Sequence, residues 1–209
     1  MTLALAIATQ DRIVIAADGK VFDTERGILN MAKLFKLGNN CVAAVSGMGL
    51  KDNIDTLMAG LAADIASQSL QGAVAIAAYV KEFLNARTWA EWEDPGKSHM
   101  VMLIAGYQNA TPQVYVRLST GAMGQIGLNR YAVGNWDNAT SYLFETLGRK
   151  DYQTIKRKAA EKIAAEMLAK GEAANPDEIG GDGLIWHILP HKIEARSTSY
   201  ASKLRKKYA

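Results

Sequence analysis

Two apolar runs at the start of the chain, joined by a short polar break, constrain its folding more than any other stretch. Leu3 to Ala8 and Ile13 to Ala17 flank Gln10-Asp11-Arg12. Runs this short, the second rich in β-branched residues, read as two strands of an antiparallel ribbon. A ribbon brings its two ends together, so Thr2 is expected to lie beside Asp18.

That juxtaposition gives Thr2 a chemical reading. A small second residue lets the initiator Met1 be trimmed, leaving Thr2 at the amino terminus. A threonine hydroxyl alone is a poor nucleophile, but its own free α-amine, with a pKa near ~8, can serve as the adjacent base. On Thr2 alone the bland reading, a common residue after Met, outweighs this one. The residues that follow change the balance.

Asp18 stands sixteen residues after Thr2, within Ala16-Ala17-Asp18-Gly19-Lys20. Lys33 opens the run Lys33-Leu34-Phe35-Lys36-Leu37, and the apolar run Cys41 to Val45 ends in Ser46-Gly47. In these elements, in this order, the chain resembles the proteasome β-type family of N-terminal-nucleophile hydrolases, which includes the bacterial HslV peptidase. The match weakens after about residue 120, and Lys33 falls one residue short of the family spacing, which implies a one-residue deletion in the preceding loop. The resemblance implies that Thr2 is the nucleophile, that Lys33 lowers the pKa of its hydroxyl, that Asp18 holds Lys33 charged, and that the Gly47 amide faces the oxyanion. It also places Val21, Met31, Phe35 and Val45 near the pocket for the residue before the scissile bond. Phe22 and Ser46 to Gly49 would pair with the extended substrate backbone. The four pocket residues are apolar, so hydrophobic residues are expected there.

Two segments depart from the family pattern. Asn135, in Val133-Gly134-Asn135-Trp136, stands where the family has a serine. The family's Asp-x-x-Ser-Gly-Gly corresponds to Asp177-Glu178-Ile179-Gly180-Gly181, or, aligned on the glycine pair, starts at Pro176. Both accessory serines are absent on either alignment. Asn135 and Asp177 are retained as candidate catalytic residues.

The remaining pattern is strands, two helices, strands, two helices, strands. Ile54, Leu57, Met58, Leu61 and Ile65 recur at helical steps and predict a helix from about Gly49 to Ser69. A second is expected from Ala73 to about Thr88, a third from about Asp137 to Leu147, and a fourth from Tyr152 to Ala169. For the fourth, Asp151 is the expected N-cap and Gly171 the stop. Val21 to Asn30 reads as a loop or irregular strand, and Gly121 to Ala132 has weak strand character. Strands are expected at Lys33–Leu37, Cys41–Ser46, Met100–Ala105, Gln113–Leu118, Leu184–Leu189 and Lys192–Ser197. Trp89 to Lys97 reads as a loop with aromatic anchors, either capping the second helix or contacting a subunit. This order suits an α+β fold. The family resemblance implies a four-layer αββα sandwich, with two stacked antiparallel sheets flanked by helices, in one domain over residues 1–209.

Composition bounds the alternatives. The single cysteine, Cys41, excludes an internal disulfide. The histidines at 99, 187 and 191 lack metal-ligand spacing, and no metal or cofactor is expected. No apolar run reaches membrane-spanning length and the N-terminus lacks a signal-peptide pattern, so a cytoplasmic location is expected. The basic tail, about 198–209, reads as a solvated end, and its lack of interleaved aromatics argues against nucleic acid. The expected function is a threonine-type endopeptidase acting on unfolded polypeptide. The resemblance further implies homo-oligomeric stacked rings, with an ATP-driven unfoldase as partner in many members. The alternatives are a catalytically silent ring scaffold and a small-molecule amidase of the same superfamily.

Overall fold

In a computed structural model the protein is described over residues 2–23, 27–46, 51–86, 100–118, 121–134 and 136–197. Met1, Gly47, Gly49, Asn135, the Trp89–Lys97 segment and the basic tail lie outside the described residues.

The first ribbon forms as its sequence requires. β1 (Leu3–Ala8) pairs antiparallel with β2 (Ile13–Ala17), with Ala4 opposite Ala17 and Ala8 opposite Ile13. Every residue of both strands is buried. Side chains alternate across a strand, and β1 uses this to sort by size. Leu3, Leu5 and Ile7 pack toward helices, whereas Ala4, Ala6 and Ala8 face the second sheet. Each large side chain contributes roughly 1.5–3 kcal/mol of burial. Truncating one of them, as in Leu5→Ala, costs about 2–5 kcal/mol.

The fold is α+β, with antiparallel sheets and, among the described residues, four α-helices. Around the ribbon, β10 (Arg130–Gly134), β11 (Leu184–Ile188) and β12 (Ile193–Ser197) complete a sheet of order β10-β1-β2-β11-β12. A second sheet has order β5-β6-β7-β8-β9, built from Leu34–Lys36, Cys41–Ser46, Val101–Gln108, Thr111–Arg117 and Met123–Gln125. A two-stranded ribbon joins β3 (Lys20–Asp23) to β4 (Gly27–Asn30).

Three apolar clusters hold these parts. One lies between the ribbon's sheet and helices α3 (Ala139–Leu147) and α4 (Arg157–Ala174), with Leu143, Ile163, Met167 and Leu168. One joins the two sheets through Ala6, Ile15, Val42, Leu103 and Val114. The third packs Met58, Leu61 and Ile65 of α1 (Lys51–Ser67) and Ile76, Val80 and Leu84 of α2 (Ala73–Asn85) on the second sheet. No helix among the described residues is long and apolar enough to cross a membrane.

Several expectations are corrected. The stretch expected as a loop or irregular strand after Lys20 is the paired β3–β4 ribbon, with Val21 opposite Leu29. The weak strand character from Gly121 resolves into β9 and β10, separated by a turn. α4 begins at Arg157, five residues late. Asp151 does cap, but its side chain accepts from the Gln153 amide and closes a 3-10 turn over Tyr152–Thr154. Gly171 does not stop α4. It is buried within the helix, where a Cβ would lie 2.6 Å from Leu3 Cδ2, so the glycine serves close packing.

Candidate active site

One end of the two sheets gathers the buried polar residues Thr2, Asp18, Lys33 and Ser46, each 3–6% exposed. Thr2 precedes β1, Asp18 follows β2, Lys33 precedes β5 and Ser46 ends β6. The antiparallel pairing of β1 with β2 puts the first two side by side. The Leu3 amide donates to Asp18 Oδ1 at 2.8 Å, and the Asp18 amide donates to the Leu3 carbonyl at 3.0 Å. The second sheet supplies Lys33, whose Nζ lies 3.1 Å from both Asp18 oxygens and also donates to the Lys20 carbonyl. The Ser46 hydroxyl donates to the Thr2 carbonyl at 3.4 Å, a link between the two sheets at the start of the chain.

Asp18 is the hub. Besides Leu3 and Lys33 it accepts from the amides of Lys20, at 3.1 Å, and Gly180, at 3.3 Å. Burial pushes its carboxyl above the ordinary value, against the Lys33 charge and the donated N–H groups. Burial likewise pushes the Lys33 ammonium below its ordinary value, against the Asp18 carboxylate. Among the described contacts, the charge of each group is supported by the other and by backbone groups, against the cost of burial. Such a pair can hold a cation beside the start of β1, or release a proton at a pH where a free lysine would keep it.

The other expected site residues fall into three groups. Phe35 and Val45 pack in one cluster with Ile54, Leu57 and Met58 of α1. Val21 and Met31 are half-buried and outside that cluster; the Met31 amide donates to the Gly19 carbonyl at 2.8 Å. Phe22 sits within β3. Asp177 lies exposed on the turn after α4. The residue of that turn reaching Asp18 is Gly180, through its amide. Asn135, Gly47 and Gly49 fall outside the described residues.

Sequence reasoning did not single out the backbone of Lys20 or Gly180. The signal available was the run Gly180-Gly181-Asp182-Gly183 before β11. Gly180 and Gly181 have φ +146° and +71°, and a Cβ on Gly180 would lie 2.8 Å from Glu172 Oε1 of α4. Only glycine allows that path and that approach at once. Gly134, with φ +136°, is similarly constrained, because a Cβ there would strike the Thr2 carbonyl.

No protein-family model and no curated protein matches the chain.

Proposed function

We propose that the protein is a threonine-type N-terminal-nucleophile hydrolase of the proteasome β kind. Thr2, once amino-terminal, attacks a peptide carbonyl with its hydroxyl. Its α-amine takes the hydroxyl proton and returns it to the leaving amine. The Lys33 cation lowers the pKa of the hydroxyl, and Asp18 keeps Lys33 oriented. The observation that carries this reading is the buried Asp18–Lys33 pair, tied by the Leu3 amide to the strand that Thr2 immediately precedes. The three apolar clusters support a four-layer αββα arrangement, in which helices cover the outer face of each sheet. The substrate would be unfolded polypeptide, hydrophobic before the cut, reached inside a cytoplasmic homo-oligomeric ring assembly that an ATP-driven unfoldase could feed.

A second reading, a catalytically silent ring scaffold, draws on the turn after α4. There Asp18 meets a backbone amide from Gly180 while Asp177 faces solvent, so no hydroxyl from this turn supports the terminal amine. Intact-mass analysis of the cellular protein, combined with peptide-epoxyketone labelling, separates the two. Loss of Met1 with one adduct on Thr2 is the expected result. Retained Met1 with no adduct would leave only the scaffold. Negative-stain imaging tests the ring assembly.

A further inference from the structure

The segments that carry the charged pair are locked together by residues outside it. The Gly19 and Lys20 amides both donate to the Gly180 carbonyl at 2.9 Å. A Cβ at Gly19 would lie 2.5 Å from the Asp182 carbonyl oxygen, so the two backbones abut with no room for a side chain. Across this junction Asn30 and Asp182 exchange two hydrogen bonds. The Asp182 amide donates to Asn30 Oδ1 at 3.1 Å, and Asn30 Nδ2 donates to Asp182 Oδ2 at 3.3 Å. Gly181 lies beneath Asn30, where a Cβ would collide with Asn30 Oδ1. Asn30 ends β4, three residues before Lys33, and Asp182 follows the amide that holds Asp18 by two.

We propose that Asn30 and Asp182 are positioning residues for the Asp18–Lys33 pair. Their reciprocal bonds tie the segment leading to Lys33 to the loop that supplies Gly180. Without them the loop and the β3–β4 ribbon can separate, and the Gly180 amide and the Lys20 carbonyl move away from the carboxylate and the ammonium. The hydrogen bonds of Asn30 and Asp182 run to each other and to the Asp182 backbone, and it is the backbone of these two segments that carries the Gly180 amide and the Lys20 carbonyl. Among the described residues, charged groups on the elements packed here include Glu172 of α4, beside Gly180, the Lys20 side chain, which donates to the Pro176 carbonyl, and Asp182 itself. The effect on turnover rests on the Thr2 reading; the effect on the pair does not.

The test uses the full chain as Asn30→Ala, Asp182→Ala, their double variant and Asp182→Asn. The pH midpoint for acetylation of Lys33 is read by peptide-mapped mass spectrometry, alongside kcat and KM on a fluorogenic peptide. Each alanine variant should admit water and move the Lys33 midpoint upward, toward that of an ordinary lysine. It should lower kcat by up to about 100-fold, as a displacement near 1 Å can, with KM little changed. The double variant should shift no further than either single one. Asp182→Asn keeps an acceptor for Asn30 Nδ2 and should retain the parent's midpoint and kcat. An unmoved Lys33 midpoint in both single alanine variants overturns the proposal whatever happens to thermal stability. A shifted midpoint in Asp182→Asn equal to that in Asp182→Ala also overturns it. If one alanine variant does not fold, the other decides. A parent that hydrolyses nothing removes the Thr2 reading, while the midpoint still decides the role of Asn30 and Asp182.

Discussion

The β1–β2 ribbon carries a buried ionic cluster at each end, and the two are built differently. At its turn, Arg12 Nη1 lies 3.3 Å from His187 Nδ1, and His187 Nε2 lies 3.0 Å from Glu161 of α4. Arginine only donates, so Nδ1 must be the acceptor and Nε2 must carry the proton. A ring that is 1% exposed thus sits between charges that keep some contact with water: Arg12 at 11% and Glu161 at 22% side-chain exposure. These side chains link the turn, β11 and α4. At the other end, both members of the Asp18–Lys33 pair are buried, and the carboxylate is held by amides from Leu3, Lys20 and Gly180. Burying two full charges costs several kcal/mol per ion before their attraction is counted. The turn cluster staples elements together. The site cluster spends stability on holding charge in one place, which a fold alone does not require.

The contrast breaks most readily at Thr2. Thr2→Ala should remove peptide hydrolysis and epoxyketone labelling by about a thousand-fold or more while leaving the melting curve nearly unchanged. Residual activity near the parent level would mean that the site end is structural too.

Lys33→Met strands a buried carboxylate and should cost about 3–5 kcal/mol in denaturant unfolding. Asp18→Asn combined with Lys33→Met should recover most of that loss, yet remain inactive. If the double variant is less stable than Lys33→Met alone, the pair is a staple like the one at the turn.

The pH dependence follows from the directions of the two shifts. A carboxyl raised on folding adds its full stability below its unfolded pKa, and that addition is lost as pH rises through the folded value. An ammonium lowered on folding adds its full stability above its unfolded pKa, and loses it as pH falls through the folded value. Across the neutral window neither Asp18 nor Lys33 contributes in this way. Relative to Asp18→Asn/Lys33→Met, the parent should gain stability toward both extremes. On the proposed mechanism turnover needs both groups charged, and it should fall on the acid side above the ordinary aspartate range and on the alkaline side below the ordinary lysine range. Chemical denaturation and kcat/KM measured across pH check both statements.

At the turn end, His187→Ala removes the ring between Arg12 and Glu161 and should cost about 1–3 kcal/mol. Activity per folded molecule should hold. A large loss of kcat at unchanged stability would show that the two ends are coupled. The smallest effect is expected at Gly171→Ala. The new methyl meets the flexible end of Leu3, so roughly 1 kcal/mol of overpacking should appear as a small drop in melting temperature.

Much of this was legible before the fold was known. The ribbon follows from its two short apolar runs and the buried face of α1 from its helical period, because both are local properties of the chain. The pairing of β3 with β4 was not legible, since Val21 to Asn30 has no clean alternation and its partner is itself. The late start of α4 escaped for a related reason. Asp151 is a good cap for either a 3-10 turn or an α-helix, and Ile155 is buried in both cases. The intrinsic preference of Gly171 predicts a stop, which its close approach to Leu3 within the helix overrides. Asp177 was chosen by residue type, whereas the turn presents the Gly180 amide to Asp18.

Residue order alone determined where most of the strands and helices lie and which polar residues stand at strand ends. It thereby placed Thr2 next to Asp18, because a short antiparallel ribbon returns the chain to the end from which it started. Tertiary structure decided how Asp18 is held. Lys33 arrives from the other sheet, and Gly180 comes from 162 positions further along the chain. Hydrogen bonds to backbone groups leave at most an indirect trace in residue identity, here a run of glycines, so only the packed chain could show which amides and which ammonium hold this carboxylate.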